Sequence, residues 1–513
     1  MQPFMPESSH SVTSVAPANR RTAGSVAWNY AGYSYQIAIN IGLTSYIVRR
    51  ISVTEYGLLL FVMSLSGALY LLDLGLSSIL VQAYVESFVS AGKDRVNELL
   101  STAFLSLSAL GTVGVLIFLG LAVSLPGPFK IPHSYVHDAS VIFVLAALVI
   151  QFGLPAIAIE NVYQSASRFD RISQIQFIVC TVQALLSILI LSAGYGIIAL
   201  ASIQLSVELL RLILLALALP ASVPGARLSV RRFNRDLLRP LFKQGKWAFF
   251  SNTSTYLFDM LVWLILGSFG SMKEAALFAI ASKAPRQLWN VVDRGANVTL
   301  PLLSQFSVGN DTIRLKHTYF KTQKLVFGAV LPFVVLGCFF APSLIQVWAG
   351  NQYTRAAIVM RWLLLAAFSH AIAYSSDLLL YACGEVKRAA KISVWSSTIS
   401  ILAALLLVSR YGAAGIAAGI ALTQLLVNCG WYNVAACKLS HTSFISLLRE
   451  LFDGMAWPLT AITLETIFIR SVSAYLSPAW QLTAAFAAGF IYLAIWGFRT
   501  ALPLYRGYAE VTA

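Results

Sequence analysis

Apolar runs of about twenty residues, the length a helix needs to cross a bilayer, follow one another along almost the whole sequence. Charge is too scarce to coat a water-soluble alternative. Hydrophobic residues make up 58% and charged residues 11% of the 513 positions, whereas a soluble chain is about one-quarter charged. A soluble core stops growing near ~250–300 residues, so a soluble chain of this length would split into domains with charged surfaces. The composition therefore excludes a soluble multidomain enzyme and a disordered chain. It also excludes a nucleic-acid binder despite the formal net charge of +15, because a basic excess in a membrane protein reads as cytoplasmic loops. Cys180, Cys338, Cys383, Cys429 and Cys437 form no CxxC pair, and read as small packing residues. Residues 1–23 form a polar tail without the apolar stretch of a cleaved signal peptide.

Runs bounded by charge, Pro or Gly predict spans near 26–48, 56–84, 100–125, 138–159, 173–193, 197–220, 247–268, 274–306, 325–347, 356–382, 392–409, 413–436, 455–475 and 479–500. The expectation is an all-α polytopic membrane protein of about 14 transmembrane helices. Its orientation follows from the basic residues. With the N-terminus in the cytoplasm, 24 of the 36 Lys and Arg fall on cytoplasmic segments, 7 on the other side and five inside spans. That bias puts the N-terminus in the cytoplasm, and an even number of spans returns the C-terminus there. The longest inner loop, 221–246, is basic, with apolar residues at Phe233, Leu237, Leu238, Leu241 and Phe242. It suits an amphipathic helix on an anionic leaflet or a solvated basic linker.

The two sides of that loop resemble each other at offsets near 220 residues. Leu71-Leu72-Asp73-Leu74-Gly75 matches Val291-Val292-Asp293-Arg294-Gly295; Asn29, Tyr33 and Gln36 match Asn252, Tyr256 and Asp259; Tyr195-Gly196 matches Tyr411-Gly412. The shared order points to a duplication: a six-helix repeat over 24–220, the linker 221–246, a second repeat over 247–437, and two additional helices with a C-terminal tail over 438–513. Six is even, so the repeats share an orientation, with a pseudo-twofold axis along the membrane normal and a central cavity between them.

Charges inside a membrane are costly and face a cavity or a partner. Along span eight, Lys283, Arg286, Asn290, Asp293, Arg294 and Asn297 recur at mostly three- and four-residue steps, within a sector of roughly 100° on a helix. Asn29, Tyr33, Gln36 and Asn40 line span one; Asn252, Tyr256 and Asp259 line span seven; His370, Tyr374 and Asp377 follow at i, i+4 and i+7 in span ten. Arg361 also lies within span ten, and Arg49 and Arg50 end span one. Pairing between helices is the plainer account of any single charge: Asp259 with Lys283 or Arg286, Asp73 with Arg294, Arg211 with Glu208. The stripes taken together call for a wet cavity. No Walker A or GxSxG pattern occurs, and the six His lack metal-ligand spacing. The sequence reads as a non-enzyme without cofactor or metal.

Arg49-Arg50-Ile51-Ser52-Val53-Thr54-Glu55-Tyr56-Gly57, Asp73-Leu74-Gly75, the stretch from Gly245 through Asp259 to Leu266-Gly267, and Arg410-Tyr411-Gly412-Ala413-Ala414-Gly415 resemble, in order and spacing, the joints of a known family. Over roughly 24–500 the chain resembles the polysaccharide (O-antigen-type) flippases of the multidrug/oligosaccharidyl-lipid/polysaccharide exporter superfamily. It departs from them at Arg410, where Pro or Gly is common, and in the charge-rich span eight. The resemblance implies a flippase that moves an undecaprenyl-pyrophosphate-linked oligosaccharide across the membrane by alternating access. It implies membrane lipids, a polysaccharide polymerase and chain-length proteins as partners. Substrate-binding candidates are then Lys283, Arg286, Asn290, Arg294, Arg49, Arg361, Asn29, Gln36 and Tyr256; ion-coupling candidates are Asp259, Asp293, Asp377 and Asp73. A lipid II-type flippase, a drug/cation antiporter and a non-transporting subunit of a polysaccharide assembly complex are the competing readings, and a drug/cation antiporter would want an acidic cavity.

Overall fold

The computed structural model describes residues 20–68, 73, 76–90, 92–124, 129–166, 168–223, 225–238, 241, 258, 260–297, 299–440, 442–452, 456–472 and 476–501. Among these there is no strand. The first half holds α1 (Arg20–Arg50), α2 (Val53–Ala68), α3 (Leu76–Ser90), α4 (Gly92–Ser124), α5 (Val136–Ser165), α6 (Phe169–Ser192) and α7 (Ile197–Ser222). The second holds α8 (Met260–Phe269), α9 (Met272–Asn297), α10 (Leu300–Val308), α11 (Thr312–Trp348), α12 (Ala356–Ala382), α13 (Val386–Thr423), a π-helical segment (Gln424–Tyr432) and α14 (Asn433–Leu439). A short α15 (Phe444–Phe452) precedes α16 (Ala456–Val472) and α17 (Pro478–Trp496), and α17 packs on α11.

By length and composition, eight helical stretches among the described residues could cross a membrane, and most of the expected span 247–268 lies outside those residues. The remaining difference from the expected count has physical sources. Span two is divided: α2 ends at Ala68, α3 begins at Leu76, and Asp73 is the one described residue between them. Span eight is divided between α9 and α10 around Thr299. The polar stripes of α1 and α9 dilute their hydropathy. One stretch of the eight, Val386–Leu439, contains Gly412 at φ 56° and ψ −136°, which ends one helix and starts another. Gly412 is required there twice over. Its φ is positive, and a methyl group would meet the Glu274 carboxylate of α9 at 2.5 Å. Glu274 Oε2 instead accepts the Ala413 N–H at 2.7 Å, an acid at a helix start.

The described part of the linker beyond α7, 225–238 with Leu241, begins as a strap. Over 225–238 it makes two 3₁₀ turns, Val230–Arg232 and Arg235–Leu237. Polar side chains at the start of α4 hold it. Asn97 Nδ2 donates to the Gly225 carbonyl at 2.9 Å and Asn97 Oδ1 accepts the Arg227 N–H at 2.6 Å. Ser101 and Thr102 accept the N–H groups of Ser229 and Asn234. These bonds satisfy the strap's backbone, so it has no need of helical bonds of its own.

The halves meet through α2 and α9. Gly57 of α2 lies against Met272 and Ala276 of α9 so closely that a methyl there would sit 1.8 Å from the Met272 carbonyl oxygen. Above this contact the halves exchange hydrogen bonds. Ser45 Oγ donates to the Trp348 carbonyl at 2.6 Å, and the Trp348 indole N–H to the Ile41 carbonyl at 3.0 Å. Arg49 donates to the Val347 carbonyl at 2.5 Å and Gln352 Nε2 to the Val48 carbonyl at 2.7 Å. In return the Lys130 N–H donates to the Gly267 carbonyl at 2.9 Å and its Nζ to the Phe269 carbonyl at 3.1 Å. All six lie at the end where α1 and α11 finish.

Candidate substrate and ion site

The polar stripe of α9 stands beside its packed face. Pro285, Leu288, Val292 and Ala296 are buried and share one side of the helix at ~100° per residue. Lys283, Asn290 and Asp293, all half-buried, and Arg286, exposed, occupy the neighbouring sector. The charges of Lys283 and Arg286 interact. Because α9 packs on α2 of the first half and on α12 of the second, this row of groups runs along the seam between the halves.

Asp293 reaches across to α12, where His370 Nε2 lies 2.7 Å from its Oδ1. The imidazole is sandwiched. Trp289 stacks on it at 5.0 Å with an interplanar angle of 26°, and Tyr374 lies 5.1 Å away. Asp377, one turn further along α12, feels the charges of His370 and Asp293, and its Oδ1 is buried without a hydrogen-bond partner. Behind it a polar network ties α11, α12 and α14 together. Tyr319 and Ser376 hydroxyls meet at 2.8 Å, and Ser376 Oγ donates to Asn433 Oδ1 at 2.6 Å. Gln323 Nε2 donates to the same oxygen and to the Ile372 carbonyl, each at 3.0 Å. The first half holds an ion triad: Arg211 pairs with Glu208 at 2.6 Å and with Glu160 of α5 at 2.9 Å. Sequence spacing alone offered only the Glu208 pair.

Lys283, Arg286, Asn290 and Asp293 are thus brought together, with Asp377 close behind. Gln36 is half-buried on α1 and Asp73 half-buried between α2 and α3. Arg49 belongs to the bonds joining the halves. Arg361 is exposed and donates to the Cys338 carbonyl of α11 at 2.8 Å. Nine residues before His370, it lies on the opposite side of α12 and roughly 13 Å along it. Tyr256 and Asp259 lie outside the described residues, as do the side chains of Asn29 and Arg294. His370 is the residue that sequence reasoning noted only as part of a stripe; its pairing with Asp293 has no sequence signal. Among the described residues no group of three His, Cys, Asp or Glu could hold a metal ion.

A family model described as polysaccharide biosynthesis protein matches residues 47–359. No curated protein matches the sequence. Among solved structures, an inward-facing multidrug resistance MATE family transporter of the MOP superfamily matches with a TM-score of 0.64 at 15% identity, covering 82% of this chain and 99% of that one. The lipid II flippase MurJ, in an inward closed conformation, matches with a TM-score of 0.64 at 13% identity, covering 92% of this chain and 99% of that one. An outward-facing MATE transporter of the same superfamily matches with a TM-score of 0.55 at 15% identity, covering 82% and 96%. At these identities the likeness is one of fold.

Proposed function

The chain belongs to the polysaccharide biosynthesis protein family, and we propose that it serves there as a flippase for an undecaprenyl-pyrophosphate-linked oligosaccharide. The observation that carries this reading is the cationic row on α9, lying where the two halves meet. A pyrophosphate must cross about 30 Å of hydrocarbon, and an unpaired charge there is prohibitive. Lys283, Arg286 and Arg294 offset that cost, Arg by bidentate contact with phosphate oxygens. Asn29, Gln36, Asn290 and Tyr256 suit sugar hydroxyls, and the polyprenyl tail stays in lipid. Asp73, Asp259, Asp293 and Asp377 are candidates for coupling the cycle to an ion gradient. The same cations count against a drug/cation antiporter.

Two six-helix repeats moving about a shared axis would supply the alternation. In support, Gly57 and Ala276, about 220 residues apart in sequence, touch each other, as groups beside a twofold axis do. Lys130 to Gly267 and Gln352 to Val48 likewise join positions at about that offset, the first through a backbone N–H and the second through a side-chain amide. The bonded end faces outward under the basic-residue bias, so the described state is closed to the outside. That agrees with the better fit to the inward conformations.

Two measurements test this. In bacteria depleted of the protein, lipid-linked oligosaccharide should accumulate with its sugars shielded from impermeant periodate in intact spheroplasts. Sugars that stay accessible at normal levels refute the flippase role. For orientation, cysteines placed at Pro132 and Asn351 should react with an impermeant maleimide in intact cells, and one at Ser229 should not. Labelling at Ser229 from outside reverses the topology.

A further inference from the structure

The two halves carry the same acids in different company. The 3₁₀ turns that lead into α5 and α12 both end in tyrosine, Tyr135 and Tyr353. Glu160 and Asp377 each lie five residues before the last residue of their helix, Ser165 and Ala382. Counted back from the helix ends, though not from those tyrosines, they hold like positions. Glu160 is held by Arg211, which also holds Glu208. With Tyr195-Gly196 set on Tyr411-Gly412, Arg211 falls on Val427 and Glu208 on Gln424, so the second half has no guanidinium there. It has His370 instead. Aligned on the helix ends, His370 falls on Gly153 of the first half, while its partner Asp293 matches Asp73. A guanidinium stays protonated at every physiological pH, whereas an imidazole changes charge between about pH 5 and 8.

We propose that His370, bonded to Asp293 and backed by Asp377, is a proton-binding site that makes the second half the proton-responsive half of the transporter, the first being fixed by its Arg211 triad. This rests on the flippase reading for the cycle it serves, but the site itself stands on geometry. With Asp293 ionised the carboxylate can only accept, so the imidazole 2.7 Å away donates from Nε2 and the proton adds to the other ring nitrogen. The neutral imidazole becomes imidazolium beside a carboxylate, and the same proton leaves to water on the opposite side.

The groups facing His370 can be named element by element. α9 brings Asp293, with Lys283 and Arg286 further along its stripe. α12 itself brings Tyr374 and Asp377. The π-helical segment brings Cys429, whose Sγ bonds the Ser369 carbonyl, and Tyr432, which feels Asp377. α11 brings Tyr319, bonded to Ser376, with Lys321 and Lys324 on its far side at ~100° per residue. α13, also packed on α12, carries Lys387, Arg388, Lys391, Arg410 and Tyr411, and α14 carries Cys437 and Lys438; α10 has no titratable residue.

Trp289 supplies the readout, because an imidazolium stacked on an indole quenches its fluorescence. Purified full-length protein in liposomes is titrated from pH 5 to 8. The expected result is a reversible fluorescence change that disappears in His370→Gln and in Trp289→Phe. The same liposomes, carrying a fluorescent polyprenyl-pyrophosphate oligosaccharide, should flip it at a rate that responds several-fold to an imposed pH gradient and not to a Na⁺ gradient. His370→Gln should flip the probe at a rate indifferent to both. Fluorescence that does not titrate, or titrates equally in His370→Gln, overturns the proton site. A His370→Gln protein that keeps the full pH-gradient response overturns its role in coupling. Wild-type liposomes that never flip the probe overturn the flippase reading and with it the coupling, while the fluorescence titration still decides the site.

Discussion

Arg286→Ala should lower surface polysaccharide export about tenfold or more, Lys283→Ala less, and the double substitution should abolish it with the protein still inserted in the membrane. A charge-assisted hydrogen bond contributes roughly 1.5–3 kcal/mol, enough for a ten- to hundredfold change in binding. Arg286 is expected to matter more because its planar fork grips two phosphate oxygens where an ammonium offers a point charge. Its position favours the contact too: it is the exposed member of the α9 row, while Lys283 is half-buried beside it. Arg286→Lys should therefore recover only part of the export. Polymer on the cell surface is measured against the amount of protein in the membrane fraction. Export that survives both alanine substitutions at normal protein levels removes the phosphate-binding role and leaves these cations as links between helices.

How far such a site can be read from sequence depends on whether its partners are local. Helix ends were legible where the signal is a nearby turn. Tyr195-Gly196 precedes α7, Tyr411-Gly412 divides α13, and α12 covers the expected 356–382. The break between α9 and α10 was passed over although Pro301, in the first turn of α10, marks a helix start. The sector shared by Lys283, Arg286, Asn290 and Asp293 needed only helical periodicity. The partner of Asp293 needed the packing of α12 on α9, which no spacing encodes. Arg49 and Arg361 illustrate the same limit. Both donate to backbone carbonyls of α11, and a carbonyl leaves no trace in residue type. The strap at 225–238 was missed for a related reason: it is fixed by Asn97, Ser101 and Thr102, more than a hundred residues earlier in the chain.

Cross-linking the bonded end should stop transport altogether. Ser45 Oγ lies 2.6 Å from the Trp348 carbonyl, so cysteines at these two positions are within reach of a disulfide. The bridge would tie the end of α1 to the end of α11, the strands of contact on which Arg49, Gln352 and Trp348 also converge. If the halves part there once per cycle, an oxidant should reduce flipping by Ser45→Cys/Trp348→Cys to background, and a reductant should restore it. The two single variants should be unaffected by the oxidant, which separates the bridge from oxidation at the native cysteines. Weakening this end acts in the other direction. Lys130 Nζ holds the Phe269 carbonyl and Gln352 Nε2 the Val48 carbonyl, so Lys130→Ala with Gln352→Ala removes two side-chain donors from opposite halves. Each is worth about 0.5–1.5 kcal/mol, and losing both should shift the population of outward-open molecules by roughly five- to a hundredfold. Faster alkylation of a cysteine placed at Gln36 by an impermeant maleimide would report that shift. Unchanged flipping by the disulfide-locked protein would mean that the halves do not separate at this end, and alternation about the seam between α2 and α9 would have to be abandoned.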